Sequence, residues 1–115
     1  MDNHRLKRVA HLLREQLGGM IMKGEIKDPR VTTMVSISNI DVSKDLSYAK
    51  VFISSFEDHR KLQSAVDGLN HAAGFIQGVV GRRIKLRTTP KLTFISDHAI
   101  EEGFIVTEKI KDALS

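Results

Sequence analysis

Five cations follow a glycine-rich segment in the third quarter of the chain, and no acid lies among them. They are Arg82, Arg83, Lys85, Arg87 and Lys91, all within ten residues. Clustered Lys and Arg side chains are the groups that neutralise the phosphates of a nucleic acid. The pattern therefore predicts a phosphate-binding site, with an ordinary solvated surface as the alternative interpretation.

The segment before these cations, HAAGFIQGVVGRR at positions 71–83, reads as a helix but contains three glycines. Each glycine inside a helix costs roughly 1 kcal/mol relative to alanine. In an unbroken helix, Phe75 and Val79 would also point away from the apolar face of the preceding turns. A kink near Ala72 to Gly74 would account for both features, and we predict one there.

A kink at this place would create a site that reads the nucleic-acid backbone. The helix that starts after it presents N–H groups without partners, and Gly74 would let a phosphate approach the main chain closely. We therefore predict that Gly74 and the five cations bind RNA. The alternative is that the glycines permit close packing of the helix on a sheet and that the cations are ordinary surface.

Two other patterns, each taken by itself, are typical of nucleic-acid binding. GVVG at 78–81 matches a G-x-x-G clamp, but Val79 and Val80 are apolar and β-branched, so we expect both in the core and interpret the match as accidental. Tyr48, Lys50 and Phe52 share one face of a predicted strand and could stack bases. The alternative is that Phe52 closes a core on the other side of the sheet.

The N-terminal segment predicts an amphipathic helix. Its apolar residues recur at spacings of three and four and form one stripe of Leu6, Val9, Ala10, Leu13, Leu17, Met20 and Ile21. Basic residues occupy the opposite side, and we predict that Lys7, Arg8 and Arg14 extend the RNA-binding surface, with a solvated face as the alternative. Organelle-targeting peptides are also basic and amphipathic, but no cleavage pattern is present, so we interpret the segment as folded.

Periodicity along the chain predicts an α+β fold. Alternation with period two indicates strands at 31–41 and 46–56, joined as a hairpin by DVSKDLS. The remaining predicted elements are the kinked helix capped by Asp58, a third strand at 90–97, and a final helix capped by Asp97. Pro29 and Gly24 in GEIKDPR end the first helix.

Composition limits the classes of function. The chain of 115 residues suits one domain, 1–115, and its formal charge of +4 favours a polyanionic partner. It contains no cysteine, which excludes disulfides and thiolate metal sites and is compatible with a reducing cytoplasm. His98 and Glu102 have a spacing that could ligate a metal ion in a hydrolase, but acids at a helix start have a simpler explanation. We predict no catalytic residues and no cofactor.

Four ordered blocks resemble the ribosome-binding factor A family. They are EIKDPR at 25–30, DLSYAKVFIS at 45–54, AAGFI at 72–76 and LRTTPKLTFISD at 86–97, and the similarity runs from about Arg5 to Ile110. The resemblance implies a type II KH-like fold of order α-β-β-α(kink)α-β-α, with a three-stranded sheet covered by helices on one face. It also implies that an Ala-x-Gly kink, here Ala72 and Gly74, replaces the G-x-x-G clamp.

The same resemblance implies a non-catalytic bacterial factor of the cytoplasm, often linked to cold adaptation. Such a factor binds the immature small ribosomal subunit and its RNA and promotes late maturation of that RNA. The resemblance leaves open whether an assembly GTPase takes part. Nothing in the sequence demands more than a monomer or indicates a membrane partner. Two positions depart from the family pattern, since Gln77 stands where a basic residue is common and Lys91 where an acid is common.

A rival interpretation belongs to another class of function. The chain could be a protein-interaction module that uses the sheet edge or the last helix, with its cations serving only solubility.

Overall fold

The computed structural model describes residues 3–97, and these form six elements in the predicted order. They are α1 (Asn3–Met22), β1 (Val35–Val42), β2 (Tyr48–Ser55), α2 (His59–His71), α3 (Ala73–Ile84) and β3 (Lys91–Ser96). The α+β fold is therefore confirmed through β3. The predicted final helix, with the metal candidates His98 and Glu102, lies outside the described residues.

One three-stranded sheet of order β1-β2-β3 organises the fold. β1 and β2 are antiparallel, which confirms the predicted hairpin, whereas β2 and β3 are parallel. Parallel strands require a long crossover connection, and α2 and α3 supply it. The kinked helix thus lies against the sheet because the topology requires it there.

A β-bulge in β1 was not predicted. Ile37 pairs with Ile53, and the next pair is Asn39 with Phe52, so Ser38 is the extra residue. Because side chains alternate along a strand, one extra residue changes which positions face inward. Val35 before the bulge and Ile40 after it are consequently both buried.

The helices cover one face of the sheet, and the predicted apolar stripes form the core. The described core residues include Val9, Leu13, Leu17, Met20 and Ile21 of α1, Ala49, Val51 and Ile53 of β2, Leu62, Ala65, Val66 and Leu69 of α2, and Leu92 and Phe94 of β3. Leu6 and Ala10 of the predicted α1 stripe are only half-buried. In residues 3–97, no helix is both long and apolar enough to cross a membrane.

The helix ends follow their sequence signals. Gly24 after α1 has φ of +68°, and the Glu25 N–H donates to the Met20 carbonyl at 2.9 Å, the pattern of a Schellman motif. Asp58 caps α2 by accepting a hydrogen bond from the Lys61 N–H at 2.9 Å. Both predicted boundaries are confirmed.

Candidate nucleic-acid interface

The predicted break in the helix lies at Ala72. This residue has φ −91° and ψ 6°, and it separates α2 from α3. Its N–H donates to the Gly68 carbonyl at 3.0 Å, and its own carbonyl accepts from the Ile76 N–H at 2.9 Å, which starts the second helix. Since alanine has no polar side chain to cap a helix, the amides in the first turn of α3 lack a side-chain partner from their N-cap.

The break keeps the same face toward the core, since Ile76 lies seven residues, or about two helical turns, after the buried Leu69. Ile76, Val79 and Val80 are buried, so the prediction that GVVG belongs to the core is confirmed. Phe75 is 56% exposed, and the prediction that the kink returns it to the apolar face is therefore wrong. Ile76 continues the buried face of α2, and Phe75 lies about a quarter of a turn away from it.

The segment between α1 and β1, residues 23–34 and here called the connector, crosses both sides of the break. Glu25 forms a two-point ion pair with Arg83 near the end of α3, with Nη1 to Oε2 at 3.2 Å. The hydrogen bond from Arg83 lowers the pKa of Glu25, so the pair stays charged at neutral pH. At the other end, the connector approaches α2 at Gly68, where a β-carbon would meet Asp28 Oδ1 at 3.0 Å.

Two of the three glycines of α3, Gly74 and Gly81, have different surroundings. A β-carbon on Gly74 would meet nothing in the described structure within 4 Å beyond its own helix, so the site lies open. A β-carbon on Gly81 would lie 2.7 Å from Thr89 Oγ1, so this glycine allows the segment before β3 to pack against α3. The open-site interpretation therefore fits Gly74, and the packing interpretation fits Gly81.

Beside these glycines lies an open groove of about 600 Å³. We call it the glycine groove, and its lining residues are Gly74, Gln77, Gly78, Gly81, Arg82 and Thr89. Gln77 also accepts a hydrogen bond from the Leu92 N–H at 3.3 Å, next to the exposed Lys91. The two positions that depart from the family pattern are thus neighbours at the start of β3.

A second concavity of about 380 Å³ lies between α1 and residues 84–90. We call it the cationic pocket, and its basic lining residues are Arg5, Arg8, Lys85 and Arg87. Asp45 is the acid among its described lining residues. Its Oδ1 accepts from Ser47 Oγ at 2.6 Å, the Ser47 N–H at 3.0 Å and Ser43 Oγ at 2.8 Å.

These hydrogen bonds, chiefly the one from the Ser47 hydroxyl, lower the pKa of Asp45 to about 2. The carboxylate is consequently ionised at neutral pH and already bonded on one oxygen. Four basic side chains against one acid leave the pocket with an excess of positive charge, which suits a phosphate group.

Lys85 enters this pocket from an uncommon backbone conformation. It caps the C-terminal end of α3 with φ 49° and ψ 41°, in the left-handed region that glycine usually occupies. Its N–H donates to the Gly81 carbonyl at 3.2 Å, which ends the helix and turns the chain toward Arg87. Lys85 therefore has a strained backbone, and its charged side chain lines the pocket.

The structure brings some predicted residues together and separates others. Arg8, Lys85 and Arg87 line the cationic pocket, and Gly74 and Arg82 line the glycine groove. The two sites share the segment before β3, since Thr88 and Pro90 line the pocket and Thr89 lines the groove. They are therefore parts of one surface, with Ala72 at the break beside it.

The other predicted cations lie elsewhere or are paired. Arg83 is held by Glu25, and Arg14 donates to the Ile37 carbonyl at 3.3 Å beside β1. Lys91 is exposed at the start of β3, in register with Tyr48, and Lys7 is exposed on α1 without lining the pocket.

Arg5 was not predicted, although it lies three residues before Arg8, a spacing that places both on one helix face. This spacing was the available signal. In the described part of the chain, no group of three or more His, Cys, Asp and Glu residues could hold a metal ion.

Known proteins resemble this chain over most of its length. The family model described as ribosome-binding factor A matches residues 5–110. The chain belongs to the ribosome-binding factor A family. A ribosome-binding factor A from Treponema denticola is 42% identical over 96% of this chain and 84% of its own length. The Caldanaerobacter subterraneus relative is 43% identical over 95% of this chain and 88% of its own length.

Solved structures of the same family share the fold. The crystal structure of ribosome-binding factor A from Thermus thermophilus has a TM-score of 0.65 at 24% identity and covers 78% of this chain and 93% of its own. The solution structure of a Thermotoga maritima protein, a putative ribosome binding factor A, has a TM-score of 0.60 at 28% identity and covers 77% and 79%. A homology model of the Thermus thermophilus factor, fitted into a cryo-EM map of a 30S complex, has a TM-score of 0.57 at 25% identity, covering 76% and 93%.

Proposed function

We propose that this protein binds the immature small ribosomal subunit through its RNA and promotes late maturation of that RNA without catalysing a reaction. The glycine groove and the cationic pocket bind successive phosphates of one RNA segment. Arg82 acts in the groove, and Arg8, Lys85 and Arg87 act in the pocket. Gly74 lets a phosphate reach the amides at the start of α3.

The observation that carries this proposal is the adjacency of the two concavities. They lie on either side of the segment 85–90, so a phosphate backbone that leaves the groove at Thr89 meets the pocket at Thr88. Backbone amides and cations bind phosphate whatever the base sequence. Such a surface suits a factor that recognises an RNA conformation.

The family supports the identity of the RNA. The Thermus thermophilus factor has been fitted into a map of its complex with the 30S subunit, and the relatives carry the name of a ribosome-binding factor. We therefore take the small subunit as the partner. The family resemblance adds a cytoplasmic location and a role in cold adaptation to the proposal and leaves open whether an assembly GTPase takes part, and a monomer is sufficient for this binding mode.

Binding alone can promote maturation if it favours one RNA conformation. A ligand shifts a conformational equilibrium only by the difference in its affinity for the two states. We expect tighter binding to immature subunits than to mature ones, and this difference would drive the RNA step. Equal affinity for both states would contradict the proposed mechanism.

The test is co-sedimentation of Gly74→Val with immature small subunits. Valine would occupy the space through which a phosphate approaches α3, so we expect at least a tenfold loss of affinity. Stability should stay within about 0.5 kcal/mol, because the added side chain begins in open space and valine is no worse than glycine in a helix.

Gly19→Val is the matched control. Gly19 lies in α1, and a β-carbon there also meets nothing in the described structure within 4 Å beyond its own helix. This variant should bind like the wild type. Loss of binding by Gly74→Val in proportion to unfolding would make Gly74 a structural residue and would remove the backbone contact from the proposal.

Ribonuclease treatment separates RNA binding from the rival protein-interaction function. Sedimentation that survives digestion of the subunit RNA would favour the rival. The fold disfavours a rival that pairs with the outer edge of the sheet, because side chains of α2 and α3 already form hydrogen bonds with β3. Asn70 accepts from the Phe94 N–H and donates to the Phe94 carbonyl, both at 2.8 Å.

A further inference from the structure

A third concavity, of about 360 Å³, lies on the connector side of the helix break. We call it the kink pocket, and its lining residues are Lys27, Asp28, Pro29, His71, Ala72 and Phe75. Its volume falls within the range of about 300–1,000 Å³ that is usual for small-molecule sites. Neither the cationic pocket nor the glycine groove includes any of these residues.

We infer that the kink pocket takes one unstacked nucleobase of the bound RNA, stacked on the ring of Phe75. This inference rests on the proposed RNA binding and adds a base contact to the phosphate contacts. Four observations carry it: the exposure of the ring, the apolar lining, the charge of the rim and the position beside Gly74.

Phe75 supplies a ring that the core does not use. It is 56% exposed in the first turn of α3, while its neighbour Ile76 is fully buried. Pro29 from the connector and Ala72 from the break supply apolar surface around it. An exposed aromatic ring is a stacking platform for any base, and stacking contributes about 1–3 kcal/mol per base.

The rim of the kink pocket suits a polyanion. Lys27 lines it, and the carboxylate of Asp28 is already taken by Arg30. Asp28 Oδ1 accepts from the Arg30 N–H at 3.0 Å and from Nε at 2.9 Å, and Oδ2 accepts from Nη2 at 2.8 Å. These bonds lower the pKa of Asp28 to about 2. Because the carboxylate is paired with Arg30, its charge opposes an incoming phosphate only weakly.

The position of the pocket makes it accessible to the same RNA strand. Phe75 follows Gly74, and it lies seven residues, or two helical turns, before Arg82 on the same side of α3. The ring therefore stands between the glycine groove and the kink pocket. A nucleotide with its phosphate at Gly74 can direct its base over this ring.

The test compares two probes of equal length and charge, a short oligoadenylate and its abasic ribose-phosphate counterpart. We expect Phe75→Ala and Phe75→Leu to weaken oligoadenylate binding about five- to 150-fold and to leave abasic binding unchanged. Phe75→Leu keeps apolar bulk without a ring, so it separates stacking from packing. Phe75→Tyr should bind like the wild type.

Phe56 provides the control, since it is 85% exposed and lies just before α2, at the opposite end of that helix from the break. Phe56→Ala should change neither affinity. The chain contains no tryptophan, so Phe75→Trp adds the sole tryptophan, and its emission should be quenched by oligoadenylate but not by the abasic probe. Phe56→Trp should report neither probe.

Each outcome decides the question. Equal losses with both probes, or no loss after Phe75→Ala while the wild type prefers oligoadenylate, would overturn the base contact and leave the phosphate contacts standing. Failure of the wild type to bind either probe at low salt would overturn the proposed RNA binding, and the base contact with it.

Discussion

Lys85 combines an unfavourable backbone conformation with a favourable charge, and the two effects can be separated. A non-glycine residue in the left-handed region costs roughly 1–2 kcal/mol. Glycine removes this strain but loses more conformational entropy on folding, so it recovers only part of the cost. We expect Lys85→Gly to raise the free energy of unfolding by up to about 1 kcal/mol and to weaken RNA binding. Denaturant unfolding and filter binding measure the two changes.

Lys85→Ala is the matched control for this prediction, since it removes the charge and keeps the strained conformation. Both variants should lose RNA affinity to the same extent, and the alanine variant should gain no stability. A glycine variant that binds RNA as the wild type does would show that Lys85 contacts no phosphate.

Gly74 and Gly81 lie on one helix but differ in their surroundings. Gly74→Ala should gain up to about 1 kcal/mol of stability from helix propensity, because the β-carbon enters open space. Gly81→Ala should lack this gain, because its β-carbon would lie 2.7 Å from Thr89 Oγ1. Thermal unfolding of the two variants measures the difference, which should be about 1 kcal/mol or more.

Removal of the clashing hydroxyl checks the cause. In the background of Thr89→Ala, the substitution Gly81→Ala should recover the gain from helix propensity, which a double-mutant cycle reports as a coupling energy. An unchanged cost would place the constraint on Gly81 elsewhere than at Thr89.

Among the elements, the pair α2 and α3 protects the outer edge of β3. Gln63, Asn70 and Gln77 recur every seven residues and bond Ser96, Phe94 and Leu92 respectively. An unpaired strand edge exposes N–H and C=O groups to pairing with other chains. Asn70 and Gln77 occupy backbone groups of this edge, and Gln63 accepts a hydrogen bond from the Ser96 hydroxyl, so the three side chains fasten α2 and α3 to β3.

Asn70 makes two of these bonds, so its loss should matter most. We expect Asn70→Ala to destabilise the fold by about 1–2 kcal/mol and to speed hydrogen exchange at the Phe94 amide. Lys61→Ala, an exposed position on the same helix, should change stability by less than about 0.5 kcal/mol. Unchanged exchange at Phe94 would contradict the edge contact.

The sequence predicted those elements whose signals are local. The break at Ala72 was predictable because the glycine placement that signals it occurs within a few residues of it. The Asp58 cap and the alternation of β2 have similarly local causes. Each of these features is present in the structure.

Features that depend on pairing between distant segments could not be predicted from the sequence. The bulge at Ser38 depends on the register with β2. The ion pair of Arg83 with Glu25 joins positions 58 residues apart, so the sequence could not show that this predicted phosphate ligand also contacts the connector. Charge patterns give the sign of a surface but not the partners of each side chain.

At the scale of the whole molecule, the positive charge is unevenly placed. The glycine groove and the cationic pocket together present Arg5, Arg8, Arg82, Lys85 and Arg87. Arg14 lies beside β1 in a separate cavity with Gly18 and Met22. A formal charge of only +4 can therefore support strong phosphate binding, because the basic residues converge on one surface.

This distribution predicts the salt dependence of RNA binding and its origin. Four neutralised phosphates on a single strand, one for each cation of the proposal, give a slope of log affinity against log salt of roughly −2.8, about a fiftyfold loss for a fourfold rise in salt. Arg87→Gln should reduce the steepness by about 0.7, whereas Arg14→Gln should not change it. Arg83→Gln should lower stability and leave the slope unchanged, because Glu25 already neutralises that guanidinium. Affinity titrations of the three variants at several salt concentrations measure these slopes. Equal slopes for all three would mean that net charge, rather than this surface, attracts the RNA.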